Sequence, residues 1–100
     1  MSIQGKDISK VVIACDAGMG SSVMVASQLA KRLKPYKVTV QHSPVNEIPA
    51  DAQVVLCQEG LVPRARQNSS GAVVLGFHNF LGDPVFDRVE AAIRDGGELG

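Results

Sequence analysis

One hundred residues with ten basic and ten acidic side chains carry no formal net charge, which argues against a nucleic-acid binder, since that needs a basic surplus on some face. At 45% hydrophobic and 20% charged, the chain can bury the core of one domain, and no apolar segment approaches the ~20 residues that cross a bilayer. The opening MSIQGKDISK is polar and lacks the apolar stretch of a secretory signal, so the expected compartment is the cytosol, where two cysteines stay reduced.

Residues 1–9 read as a loose lead-in. Val11–Ala14 is a short apolar run stopped by a glycine loop, the pattern of a buried strand. Ser21–Lys34 reads as a helix, with Ala26, Leu29, Ala30 and Leu33 on one face and Pro35 ending it. YKVTVQ (36–41) alternates and is β-branched, a second strand; HSPVNEIP (42–49) is a loop with two prolines. AQVVLC (52–57) is the third strand, Leu61–Asn68 a short helix stopped by NSSG, and AVVLG (72–76) the fourth strand. FHNFLGDP (77–84) is a loop, and Val85–Arg94 a last helix with Pro84 suited to its first turn. DGGELG (95–100) reads as a frayed tail.

This order is β-α-β-β-α-β-α. Apolar strands without clean alternation are buried on both faces, which means a parallel sheet with helices on each side. The connection 42–51 must then cross over, and its prolines suit an extended path. Ligands of such sheets bind beyond the carboxyl ends of the strands, the edge that holds the loop after Cys15.

That loop, CDAGMGSS (15–22), holds the chemistry. A glycine-rich turn between strand and helix aims several backbone N–H groups into one hollow, and the helix N-terminus adds partial positive charge. Such a hollow takes an anion such as phosphate and favours a thiolate. Cys15 is therefore the candidate nucleophile toward phosphorus. Asp16, Ala17, Gly18, Met19, Gly20, Ser21 and Ser22 form the candidate phosphate-binding loop, the two serines adding hydroxyl donors. Asp16 is expected to point away from the hollow and accept loop or helix N–H bonds. GMGSSV lacks the third glycine of a dinucleotide fingerprint, and no lysine precedes Ser21 as a Walker loop requires. The plainer reading is a small buried cysteine before a tight turn. No His/Cys spacing suggests a metal.

CDAGMGSS resembles the active-site loop of enzyme IIB in the mannitol-type branch of the bacterial phosphoenolpyruvate-dependent sugar phosphotransferase system. RAR (64–66) and NFL (79–81) resemble that family's downstream segments, so the likeness covers roughly residues 10–94. It implies an α/β fold: a four-stranded parallel sheet of order 2-1-3-4, flanked by three helices and resembling low-molecular-weight tyrosine phosphatases. It implies a single enzyme IIB domain over 1–100, cytoplasmic, held at the inner face of the membrane through enzyme IIC and not itself inserted. Cys15 would take a phosphoryl group from a phosphohistidine on enzyme IIA and pass it to a sugar or sugar alcohol held by enzyme IIC, with no metal or organic cofactor. Met19 and Met24 would be part of the docking surface for those partners. Met24 shares an otherwise polar helix face with Ser27, Gln28 and Lys31, and Met adapts to several surfaces.

Two rivals stand beside this reading. A thiol phosphatase or arsenate reductase has the same architecture, but the phosphatase loop reads C-x-x-x-x-x-R, and Ser21 stands at the arginine's position. Asp83-Pro84 matches those phosphatases' acid, although a helix cap followed by a first-turn proline explains it as well. The other rival is a regulatory IIB-like signalling domain. His78 stands where the mannitol pattern has a small hydroxyl residue, and Cys57-Gln58-Glu59 where it is more basic. His42 looks unremarkable at the start of a loop. Cys57 reads as structural, with a disulfide to Cys15 conceivable because both end adjacent strands.

Overall fold

The run before the glycine loop forms β2 (Lys10–Cys15), one of the two inner strands of a four-stranded parallel sheet. The structure is a computed structural model that describes residues 3–15, 20–69, 71–78 and 83–99. The other parallel strands are β3 (Thr39–Pro44), β4 (Val54–Gln58) and β5 (Val73–Phe77), in the order β3-β2-β4-β5. Three helices flank them: α1 (Gly20–Leu33), α2 (Val62–Asn68) and α3 (Pro84–Asp95). This is the α/β architecture, the strand order and the helix count expected from the sequence.

Side chains alternate across a strand, so β2 feeds two cores. Val11 and Ile13 pack with Val54, Leu56, Val25, Leu29 and Leu33, and with Val85, Phe86 and Val89 of α3. Val12 and Ala14 pack on the other face with Val55, Cys57, Val45, Ile48 and Ala65 of α2. Helices α1 and α3 therefore cover one face, and α2 with the crossover segment covers the other. Buried on both faces, β2 has no reason to alternate in polarity, which is why it reads as a continuous apolar run.

Two stretches differ from the sequence-based expectation. The second strand is displaced from 36–41 to Thr39–Pro44. Lys34–Tyr36 instead form a 3-10 turn with Pro35 inside it, closed by Lys37 N–H to the Lys34 carbonyl at 3.2 Å, with Lys37 left-handed at φ 59°. His42, Ser43 and Pro44, expected in a loop, join the ladder opposite Ile13, Ala14 and Cys15. Pro44 is tolerated because it ends an edge strand.

The chain ends are also not loose. Ile3–Gln4 (β1) pair antiparallel with Glu98–Leu99 (β6), and Leu99 and Ile8 are buried in the larger core. Gly96, left-handed at φ 70°, ends α3 and turns the chain back. Gly5 N–H donates to the Gly97 carbonyl at 2.6 Å. A Cβ on Gly5 would sit 1.7 Å from the Ala92 carbonyl oxygen, so this position admits no side chain while α3 stays in place. Gly5→Ala is expected to lower the free energy of unfolding by roughly 2–4 kcal/mol, the scale of a forced backbone shift. Urea unfolding of the variant beside the wild type measures it, and an unchanged midpoint would contradict this packing.

Candidate active site

Cys15 closes β2 and is 4% exposed. Its parity puts it on the face of Val11 and Ile13, and α1 begins five residues later at Gly20. Asp16, Ala17, Gly18 and Met19 lie outside the described residues. Gly20, Ser21 and Ser22 form the first turn of α1, so the backbone brings a helix N-terminus to the carboxyl edge of the sheet close in sequence to the cysteine.

The partner of Cys15 is His42, expected to be an unremarkable loop residue. The cysteine Sγ lies 2.9 Å from Nε2 of His42. Parallel pairing sets Ile13 opposite His42 and Cys15 opposite Pro44. His42 and Cys15 thus share the α1 face, two residues apart in register along neighbouring strands. The signal was available: Val38, Val40 and His42 continue the period-two alternation past residue 41, and ending the strand at Gln41 hid it.

Cys57 has the opposite fate. In register Ile13 faces Leu56, and Cys57 belongs with Ala14 to the α2-side core. The two thiols therefore leave the sheet on opposite faces, which rules out the conceivable disulfide in this fold; both cysteines are free. Burial pushes the Cys57 thiol up from 9.0 to about 11, with Arg66 opposing.

The remaining carboxyl-edge residues are structural or exposed. Asp83 caps α3, accepting from Val85 N–H at 3.0 Å through Oδ1 and from His78 N–H at 2.8 Å through Oδ2. With Pro84 at the first helical turn, this is the helix-start reading of Asp83-Pro84. Both oxygens accept hydrogen bonds from backbone N–H groups, the arrangement of a helix cap. The rings of Phe77 and Phe86, 5.5 Å apart, tie the end of β5 to the start of α3. His78 is exposed and pairs with Glu59 across the ends of β4 and β5. A Cβ on Gly76 would lie 2.9 Å from Val62 Cγ2 and 3.1 Å from Glu59 Cα; bare backbone there lets the turn bearing Glu59 sit against β5. Asn79, Phe80 and Leu81 lie outside the described residues. Val23 and Met24 are exposed at 54% and 46% on the first turns of α1, and Ser27, Gln28 and Lys31 are exposed further along it. Among the described residues no group of three His, Cys, Asp or Glu side chains is placed to hold a metal, and no helix is long and apolar enough to cross a membrane.

Residues 10–90 match the protein family described as "PTS system, Lactose/Cellobiose specific IIB subunit". The chain belongs to the IIB subunit family of the sugar phosphotransferase systems. Its curated relatives include the mannitol-specific EIICB component of Staphylococcus aureus (strain COL), 38% identical over 86 residues that cover 83% of this chain and 17% of that protein. The EIICB component of Staphylococcus saprophyticus subsp. saprophyticus is 38% identical over 94 residues, 88% of this chain and 18% of that protein. That of Bacillus subtilis (strain 168) is 35% identical over 86 residues, 84% of this chain and 18% of that protein. The IIB chain thus spans under a fifth of the length of these relatives.

The Cys57 thiol gives a test with a definite sign. The folded protein holds that proton more tightly than the unfolded chain does. Its contribution to stability is therefore complete below about pH 9 and is lost as pH rises toward 11, a total of about 2–3 kcal/mol. Urea midpoints between pH 8 and 11 should fall more steeply in the wild type than in Cys57→Ala. Parallel curves would show that Cys57 keeps no such proton.

Proposed function

We propose that residues 1–100 act as a single IIB domain that carries a phosphoryl group on Cys15. A phosphohistidine on enzyme IIA is the donor, and the acceptor is a sugar or sugar alcohol held by membrane enzyme IIC. The N–P bond of the donor breaks and an S–P bond forms; in the second transfer the S–P bond breaks as a substrate hydroxyl oxygen bonds phosphorus. The domain works in the cytoplasm, at the inner face of the membrane through enzyme IIC.

The observation that carries this reading is the position of Cys15: at the end of an inner strand, beside the N-terminus of α1, inside the span matched by the IIB family. Asp16, Ala17, Gly18, Met19, Gly20, Ser21 and Ser22 are the proposed cradle for the phosphoryl oxygens, through loop amides and the two hydroxyls. The mannitol-specific names of the relatives favour the mannitol-type branch and a sugar alcohol, although the family description names lactose and cellobiose.

Incubation with phosphorylated enzyme IIA should add one phosphoryl mass, mapped to Cys15. Cys15→Ala should abolish transfer with the fold intact. Label on His42 or His78, or full labelling of Cys15→Ser, would sink the assignment. A carrier also lacks the arginine clamp with which a thiol phosphatase speeds hydrolysis, since Ser21 occupies that position. Turnover of para-nitrophenyl phosphate should be negligible; robust turnover lost in Cys15→Ser and sharply lowered in Asp83→Asn would replace the carrier by the phosphatase.

Met19 and Met24 are the proposed docking residues. The exposure of Val23 and Met24 side by side supports this, because two large apolar side chains at the start of the helix that follows Cys15 offer a partner a dry contact. Met24→Glu should slow transfer from enzyme IIA several-fold, with the far-ultraviolet circular dichroism unchanged. An unaltered rate removes Met24 from the surface.

A further inference from the structure

We propose that His42 is the proton acceptor for the Cys15 thiol, so that the working nucleophile is a cysteine–histidine pair and not a cysteine served by loop amides alone. The role deepens the carrier reading and, for the transfer step, rests on it.

Geometry supports the pair in three ways. Nε2 of His42 is 2.9 Å from Sγ, within reach of direct proton transfer. The approach is set by sheet register, with Ile13 opposite His42, so both ends of the contact are mounted on paired backbone rather than on a loop. Among the described residues of the elements that flank the pair, little competes. β3 carries no other ionisable side chain, and α1, which packs on β3, has none from Gly20 to Ala30; Lys31 and Arg32 are in its last turn. On β2 the only other ionisable residue is Lys10, at the opposite end of the strand and paired with Asp51.

The step balances as follows. The sulfur lone pair bonds phosphorus while the N–P bond of the donor breaks and its electrons return to the donor imidazole. The thiol proton passes to Nε2 of His42, leaving an imidazolium beside the new phosphothioester. That positive charge offsets part of the dianion beside a sulfur that is 4% exposed. When phosphorus leaves for the acceptor oxygen, the S–P electrons collapse onto Sγ, His42 returns its proton to the sulfur, and the acceptor hydroxyl gives up its own proton to water.

Alkylation by iodoacetamide tests the pair without any phosphoryl donor. The adduct is mapped to Cys15 by mass and its rate is followed from about pH 6 to 10. An unaided thiol is only a few per cent ionised near pH 7, so His42→Gln should be alkylated roughly tenfold more slowly there, and the two curves should converge near pH 10. In His42→Ala, added imidazole should restore part of the lost rate. His42 is half-buried on an edge strand, so circular dichroism should be unchanged in both variants. Superposable wild-type and His42→Gln profiles, or His42→Ala that is slow at every pH and deaf to imidazole, would overturn the assignment. The same proteins are then given phosphorylated enzyme IIA. Alkylation as expected with no phosphoryl uptake by the wild type keeps the pair and sinks the carrier; normal uptake with superposable alkylation profiles does the reverse.

Discussion

The register of β2 is the constraint on which the site depends, and one amide fixes it. A strand that is apolar on both faces is poorly pinned by burial, because a slip of one residue exchanges one valine-rich face for another. Gln53 removes that freedom. Its Oε1 accepts from Ser9 N–H at 2.5 Å, Ser9 Oγ at 3.0 Å and Lys10 N–H at 2.9 Å, and its Nε2 donates to the Asp7 carbonyl at 2.6 Å. Backbone bonds from Thr39 to Ser9 and from Gln53 to Lys10 then start the ladders on both sides. All of this lies at the amino end of the strand, and its consequence is felt at the carboxyl end: a one-residue slip would carry Cys15 away from His42 and onto the face of Cys57.

Parity explains why two cysteines near the ends of adjacent strands have unlike surroundings. Cys57 packs among Ala14, Val55 and Ala65, where burial works against the thiolate and Arg66 offsets little of it. It fills space as a small apolar group does. Cys15 is almost as buried, but an imidazole and a helix N-terminus stand at its end of the sheet. Burial depth alone does not separate an inert thiol from a nucleophile; the neighbours do.

Much of this was legible in the sequence. Apolar runs bounded by glycine loops pointed to four parallel strands, and CDAGMGSS to the carboxyl edge now proposed as the site, because such residue types carry local physics that holds wherever they stand. The Asp83-Pro84 cap was legible for the same reason. Three features were not. The ribbon of β1 and β6 joins residues more than ninety positions apart in sequence, and its short polar-flanked strands show no periodicity. Gly5 reads as an ordinary turn glycine until α3 is placed against it. His42 was hidden by a boundary error of three residues at Pro44, where a proline on an edge strand looks in sequence like the start of a loop.

In the proposed role of phosphoryl carrier, the placement of Cys15 would meet two opposed demands. The phosphothioester must be kept from water between partners, which favours a sulfur with little exposure; it must also be reached by two different proteins, which favours an edge. A strand end answers both. The strand leaves the sulfur only 4% exposed while placing it at the carboxyl edge of the sheet. The polar devices around that edge are spent on structure: the Asp83 carboxylate on two backbone N–H groups, Glu59 on His78. Among the described residues that leaves His42 as the side chain in contact with the sulfur, and neither a free carboxyl acid nor an arginine clamp, which rapid hydrolysis would demand, is placed against it.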